Sequence, residues 1–337
     1  MCRASNSLPL PVSPRINTEI ERGANSHIMF IDLHSTLIDI WRADFASAAL
    51  TAEDAMERAE VVFFDRCPVE LPNEADLQFM REGLPRELQV KNISYHPESD
   101  SIPRFDAAPE VKNRIEPILR THGQRVEAFL RRSCPDFVPG WTLGTTSFRS
   151  IEEQGRKLKP RSSNELVHID AGAYGATNGA RILRFFVNIH PARDRVWGTK
   201  GSFRSIMSRY PEIWNAAKGG KQRVGIDKGP MDKLYSGLVG AFGKLYPLFR
   251  VIDSSPYDRS MRRIHNFMKE NPIFRDNPEG YQEIHFPPLS AWMVFTDGIS
   301  HSVLTGQHAL VTTVLVPLAN CRIPEISPYQ VLARPAA

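Results

Sequence analysis

Apolar residues recur at near-helical spacing over residues 109–133, where Val111, Ile115, Leu119, Val126, Phe129 and Leu130 fall on one side. Pro117 and Gly123 interrupt that stripe, and Pro135 and Pro139 are expected to end the helix. Residues 40–60 also read as helical, because Thr51-Ala-Glu-Asp54 has the form of a capping box. The continuous apolar run Val61-Val62-Phe63-Phe64 is short enough for a buried strand. From residue 141 the pattern changes. Strands are expected at Glu165–Ile169, Arg181–Ile189, Ala291–Thr296 and Ala309–Pro317, which are rich in β-branched and aromatic residues. Strands that follow one another with turn signals and few helices point to an α+β chain built on a sandwich or jelly roll.

Residues 198–280 break the strand pattern. They read as helices and loops with 15 Lys or Arg against 8 Asp or Glu. This is expected to be an insertion between the segment carrying His168 and Asp170 and the strands around His301. It is either a solvated helical flap or a lid that helps hold an acidic substrate or carrier. Residues 1–26 read as a flexible lead-in with no apolar core of a secretory signal, leaving 27–337 as one domain. The whole chain has a formal charge of +4, too mild to argue for nucleic acid. No run approaches the roughly 18 apolar residues of a membrane span. Cys2, Cys67, Cys134 and Cys321 are scattered without a zinc-type pairing, so inert thiols in a cytoplasmic protein are expected.

The candidate chemistry begins at Val167-His168-Ile169-Asp170. Residues two apart on an extended segment share a face, so His168 and Asp170 aim at one point. A second histidine would complete a facial triad with open positions, the geometry of non-haem Fe(II) oxygenases. The small residues Ala171 to Gly175 leave room beside such a centre. Arg184 is a cation inside an otherwise apolar strand. It must pair with a nearby acid or serve as a bidentate clamp for a dicarboxylate. His301 follows a turn at Asp297-Gly298, but His285 and His308 compete with it for the third ligand position, while His190 before Pro191 suits a turn.

Six ordered blocks carry a resemblance. They are Lys91–Tyr95, Thr146-Ser-Phe-Arg149 through Arg156, His168-Ile-Asp170-Ala171, Arg181 to Pro191, Arg195-Val-Trp197, and Trp292 through His301 to Gln307. In this order the chain resembles the Kdo hydroxylases, which are Fe(II)- and 2-oxoglutarate-dependent dioxygenases acting on the octulosonate sugar of lipopolysaccharide. The resemblance runs over about 60–200 and 283–317 and leaves 198–280 outside it. It implies a double-stranded β-helix (a cupin-like jelly roll) with flanking helices. It implies Fe(II) ligands at His168, Asp170 and His301, with 2-oxoglutarate and O₂ as co-substrates. No basic residue stands about ten positions after His301, so the resemblance implies Arg184 as the 2-oxoglutarate anchor, helped by Arg149 and Asn188. Arg149 could instead pair with Glu152 or Glu153. The chain departs from the family pattern at Gly172, where an aromatic residue is expected, at Ser150 in place of proline, and in the basic insertion. The implied reaction is hydroxylation of an unactivated C–H of a sugar-acid or other small-molecule substrate, free or carrier-bound, with succinate and CO₂ as co-products. Desaturation or ring formation at the same centre, and a jelly-roll binding protein without catalysis, are the alternatives.

Overall fold

The computed structural model describes residues 28–32, 36–38, 51–84, 92–103, 105–172, 175–229 and 254–334. The expected lead-in at 1–26, the helical text at 40–50 and the pair Ala173-Tyr174 lie outside them. Strands β1 (Ile28–Asp32) and β2 (Thr36–Ile38) pair antiparallel. Thr51 caps helix α1 (Ala52–Glu57) through the reciprocal box with Asp54, so the two side chains satisfy backbone donors that the helix start leaves open. The apolar run becomes strand β3 (Val61–Phe64), buried at all four positions. Helix α2 (Glu74–Gln78) and strand β4 (Asn92–Tyr95) follow.

Helix α3 spans Pro109–Ser133 and buries every residue of the apolar stripe read from the sequence. Its interruptions have separate explanations. Pro117 lacks a backbone N–H and is carried inside the helix. At Gly123 a β-carbon would come 2.5 Å from Thr146 Oγ1, so only glycine lets the helix lie this close to the next strand.

That strand is β5 (Thr142–Arg149), followed by β6 (Arg181–Asn188), β7 (Arg195–Thr199), β8 (Gln282–Phe286), β9 (Ala291–Phe295), β10 (Ser302–Thr305) and β11 (Ala309–Val316). Among the described residues they form two antiparallel sheets. The larger has the order β2-β1-β3-β9-β6-β11-β5-β4, and the smaller β10-β7-β8. A double-stranded β-helix is the result. One core lies between the large sheet and α3, with Leu183, Phe185 and Val187 from β6 inside it. A second core lies between the sheets, where Phe186, Trp292 and Val311 meet Trp197, Ile284 and Phe286.

The segment 165–169 departs from expectation, because it is not a strand. Its one ladder contact is the bridge His168↔His301, made by bonds of 3.0 and 2.7 Å between the two backbones. The physical reason is competition. The His168 ring takes the Leu166 carbonyl at 2.8 Å, and the Asp170 N–H turns to Thr296 O, next to β9, rather than continuing beside β10.

Of the two readings of the basic stretch, the solvated flap does not hold for its described part, which packs into a core. It leaves after β7 and returns at β8, which pair directly with Thr199 opposite Gln282. Between them lie α4 (Phe203–Arg209), α5 (Glu212–Lys218), α6 (Pro256–Glu270) and α7 (Pro272–Arg275). Tyr257, Met261, Ile264 and Met268 recur every three or four residues on α6 and are buried. They form a third core with Phe203, Ile206 and Phe274, and this core includes Ile169, the residue between His168 and Asp170. Arg262 points away from this core and is exposed, whereas Lys269 and Lys200 are buried. Helix α8 (Pro328–Ala333) closes that core with Leu332.

Candidate metal centre

His168, Asp170 and His301 converge so that one ligand atom from each lies within 4.8 Å of the others. His168 Nε2 is 3.9 Å from Asp170 Oδ1, and His301 Nε2 is 3.9 Å from Asp170 Oδ2. All three residues are buried. The isolated bridge brings the two histidines together, and the turn at Asp297 places the second. Asp297 is fixed by the Arg181 guanidinium at 2.7 Å and the Ile182 N–H at 2.9 Å.

The ring orientations are set from behind. His168 Nδ1 donates to Leu166 O at 2.8 Å and His301 Nδ1 to Ile299 O at 3.2 Å. A carbonyl can only accept, so each ring carries its proton on Nδ1 and turns the Nε2 lone pair inward. Trp197 stacks on the His301 ring at 5.1 Å and helps fix its plane. Burial pushes both imidazoles down, His168 further because His301 and Lys269 add to it, so both rings are neutral near pH 7. Burial alone would raise the Asp170 carboxyl. The Arg184 guanidinium, then His301 and His168, override it and hold the group well below the usual carboxylate range. Two neutral imidazoles and one ionised carboxylate, whose two oxygens each lie 3.9 Å from an Nε2, suit a divalent iron.

The arginines come next. Arg184 Nη2 lies 3.1 Å from Asp170 Oδ2, so the cation inside β6 pairs with a metal ligand, while its buried Nε has no hydrogen-bond partner. Arg149 donates to Asn92 Oδ1 at 2.5 Å and is not ion-paired to Glu152 or Glu153. Glu152 instead accepts from Gly306 N at 2.7 Å, and Glu153 lies 3.7 Å from Arg156. Burial, then Arg184 and Arg195, depress the Arg149 guanidinium to about 10. Arg195 is depressed to about 10 by burial. Its Nη1 donates to Gly306 O at 2.8 Å, and a β-carbon on Gly306 would come 2.5 Å from its side chain. Three guanidiniums thus share one neighbourhood beside the triad.

Asn188 sits at the far end of β6, fully buried. Its amide donates to Arg193 O and Phe286 O, both at 2.9 Å, and its Oδ1 accepts from His190 N at 3.0 Å. The rival histidines lie elsewhere. His285 is exposed beside Asp194, and His308 is stacked between Phe148 and His190. His190 accepts the Ala192 and Arg193 N–H groups in a turn.

Two neighbours of the centre were not singled out by the sequence. Arg195 was visible only as part of a matching block. His265, on α6, has its ring 4.9 Å from that of His168 at 76°, and no spacing signal links positions 96 residues apart to one carbonyl.

A family model described as 3-deoxy-D-manno-oct-2-ulosonic acid (Kdo) hydroxylase matches residues 41–337, so the match runs through the stretch 198–280 that the resemblance left outside. Solved structures of the Kdo hydroxylase KdoO, a non-haem Fe(II) α-ketoglutarate-dependent dioxygenase, are similar. The apo form has 27% identity over 83% of this chain and 87% of that one, with a TM-score of 0.67. The complex with α-ketoglutarate and Fe(III) has 26% identity over the same shares, with a TM-score of 0.65. The complex with succinate and Fe(III) has 25% identity, again over 83% and 87%, with a TM-score of 0.65. No curated protein matches the chain in sequence. With a match over residues 41–337 and a triad of neutral imidazoles and one carboxylate in a double-stranded β-helix, the chain belongs to the Kdo hydroxylase family.

Proposed function

We propose that the chain is an Fe(II)/2-oxoglutarate-dependent dioxygenase that hydroxylates an aliphatic carbon of a Kdo-type sugar acid. The observation that carries this reading is the buried triad His168, Asp170 and His301, with both Nε2 lone pairs turned inward by backbone carbonyls. These three side chains would hold Fe(II). With 2-oxoglutarate and O₂, that centre supplies the oxidising power to convert an unactivated C–H to an alcohol, with succinate and CO₂ released.

The chain's own residues divide the remaining work. Arg184 touches a ligand carboxylate, so it serves the metal end of the 2-oxoglutarate site and balances the charge of Asp170. Because Arg184 is paired with Asp170, the distal carboxylate is assigned to Arg149 in place of Arg184; burial and then the cations of Arg184 and Arg195 depress its guanidinium, and a carboxylate there would offset both. Arg195 adds positive potential to the same end. Asn188 acts through the backbone it ties together at the end of β6. A second substrate class, a carrier-bound or other small acid, is favoured by one observation. At Gly172 a β-carbon would meet Gly175 O at 2.8 Å, so position 172 has no room for a side chain where the family pattern has an aromatic residue.

Anaerobic addition of Fe(II) and 2-oxoglutarate should produce a weak visible charge-transfer band. Under air, succinate formation should rise when a Kdo-terminated acceptor is supplied. A protein that gives neither band nor succinate is not an oxygenase. One that gives both, without stimulation by the sugar, acts on the other substrate class. No described helix is long and apolar enough to cross a membrane.

A further inference from the structure

We infer that helix α6 is the outer brace of the metal centre and that His265 is a positioning residue for His168 and Asp170. The inference rests on the metal reading above and deepens it. The segment that carries the two ligands is not a strand, so its backbone groups lack a ladder and must find other partners. Helix α6 supplies them from one side. His265 Nδ1 donates to Ile169 O at 2.7 Å, and Ile169 is the residue between the two ligands. Asp258 accepts from Thr177 N at 2.7 Å, from Thr177 Oγ1 at 3.0 Å and from Asn178 N at 3.2 Å. Lys269 Nζ donates to Arg161 O at 3.3 Å.

Positions 258, 265 and 269 are seven and four apart and lie on one face of the helix. Each grips the ligand-bearing segment at a different place: before His168, between the ligands, and after Asp170. Only His265 also touches a ligand side chain, its ring meeting that of His168 edge to face. It therefore acts twice, on the backbone that sets the spacing of the ligands and on the plane of one imidazole. Contacts of this kind, one layer out from a metal, typically change affinity by roughly 10–100-fold when removed.

The test is Co(II) binding by the full chain, followed through its visible d–d absorption, with circular dichroism and the melting temperature of the metal-free protein as controls. His265→Ala removes donor and ring, and should weaken Co(II) binding roughly 10–100-fold and shift the band. His265→Asn places an amide N–H near the position of Nδ1 and should recover most of the affinity. His265→Phe fills the space without a donor and should stay weak. If His265→Ala does not fold, the Asn and Phe variants are compared directly. The inference is overturned if His265→Ala binds Co(II) as the unaltered protein does with the same band, or if Asn and Phe bind equally. Failure of the unaltered protein to bind Co(II) would instead remove the metal reading itself.

Discussion

The two faces of strand β6 carry opposite kinds of residue. Leu183, Phe185 and Val187 face helix α3 and offer no polar side-chain atom. Arg184, Phe186 and Asn188 alternate onto the other face, where a cation and an amide sit among aromatic rings. The first face is packed for stability. The second keeps a guanidinium whose Nε has no hydrogen-bond partner, while its Nη2 pairs with the Asp170 carboxylate. An unpartnered buried polar atom costs free energy, so the Arg184 Nε beside the triad marks a place where the fold gives up stability for binding. One period of two residues separates the two demands along a single strand.

That division can be broken from either side. The largest effect belongs to the ligand face: His301→Ala should abolish Fe(II) binding and succinate formation while leaving circular dichroism unchanged, checked by metal analysis and a coupled assay. On the packed face, Phe185→Ala should cost about 3–5 kcal/mol of stability by urea denaturation and leave the KM for 2-oxoglutarate unaltered. Arg184→Gln crosses the divide. It leaves Asp170 buried without its cation, so the metal-free protein should lose roughly 3 kcal/mol, and saturating Fe(II) should restore most of it.

A pH experiment sharpens the comparison on the packed face. His122, buried on α3 with neither ring nitrogen bonded, is pushed down by burial to about 4. Its ring is neutral in the folded chain, while the unfolded chain takes up a proton near the ordinary value of about 6.5. His122 should therefore contribute a loss of roughly 3 kcal/mol as pH drops from about 6.5 to 4, and His122→Leu should make that limb of the curve shallower by that amount. The smallest effect is expected of Arg149→Lys, which should raise the KM for 2-oxoglutarate roughly tenfold through loss of the bidentate fork.

The strands were legible because the signals of extended backbone, β-branched and aromatic content and a period of two, survive tertiary context. β6, β9 and β11 lie where their β-branched and aromatic residues place them. The pairing of His168 with Asp170 was legible for the same reason. The choice of His301 over His285 and His308 was not, since all three lie in or beside strands and only the resemblance separated them. Segment 165–169 failed as a strand because a side chain took one of its carbonyls, a competition that periodicity does not register. Helix α6 was hidden by averaging. The net charge of 198–280 averages over every position, whereas Tyr257, Met261, Ile264 and Met268 form the stripe that decides where the helix sits. His265 and Arg195 were illegible because their partners, Ile169 and Gly306, are remote in the chain.

The isolated bridge between His168 and His301 has a kinetic consequence. It joins residues 133 positions apart (301 − 168), and no neighbouring rungs extend it. Closing so long a loop is entropically unfavourable and is rewarded only once the strands on both sides are in place. The two imidazoles should therefore meet late in folding, and a refolding chain should regain its fluorescence before it can take up iron. An ion that waits for the finished protein binds only the native state, and so acts as a lock on unfolding more than as a template for folding.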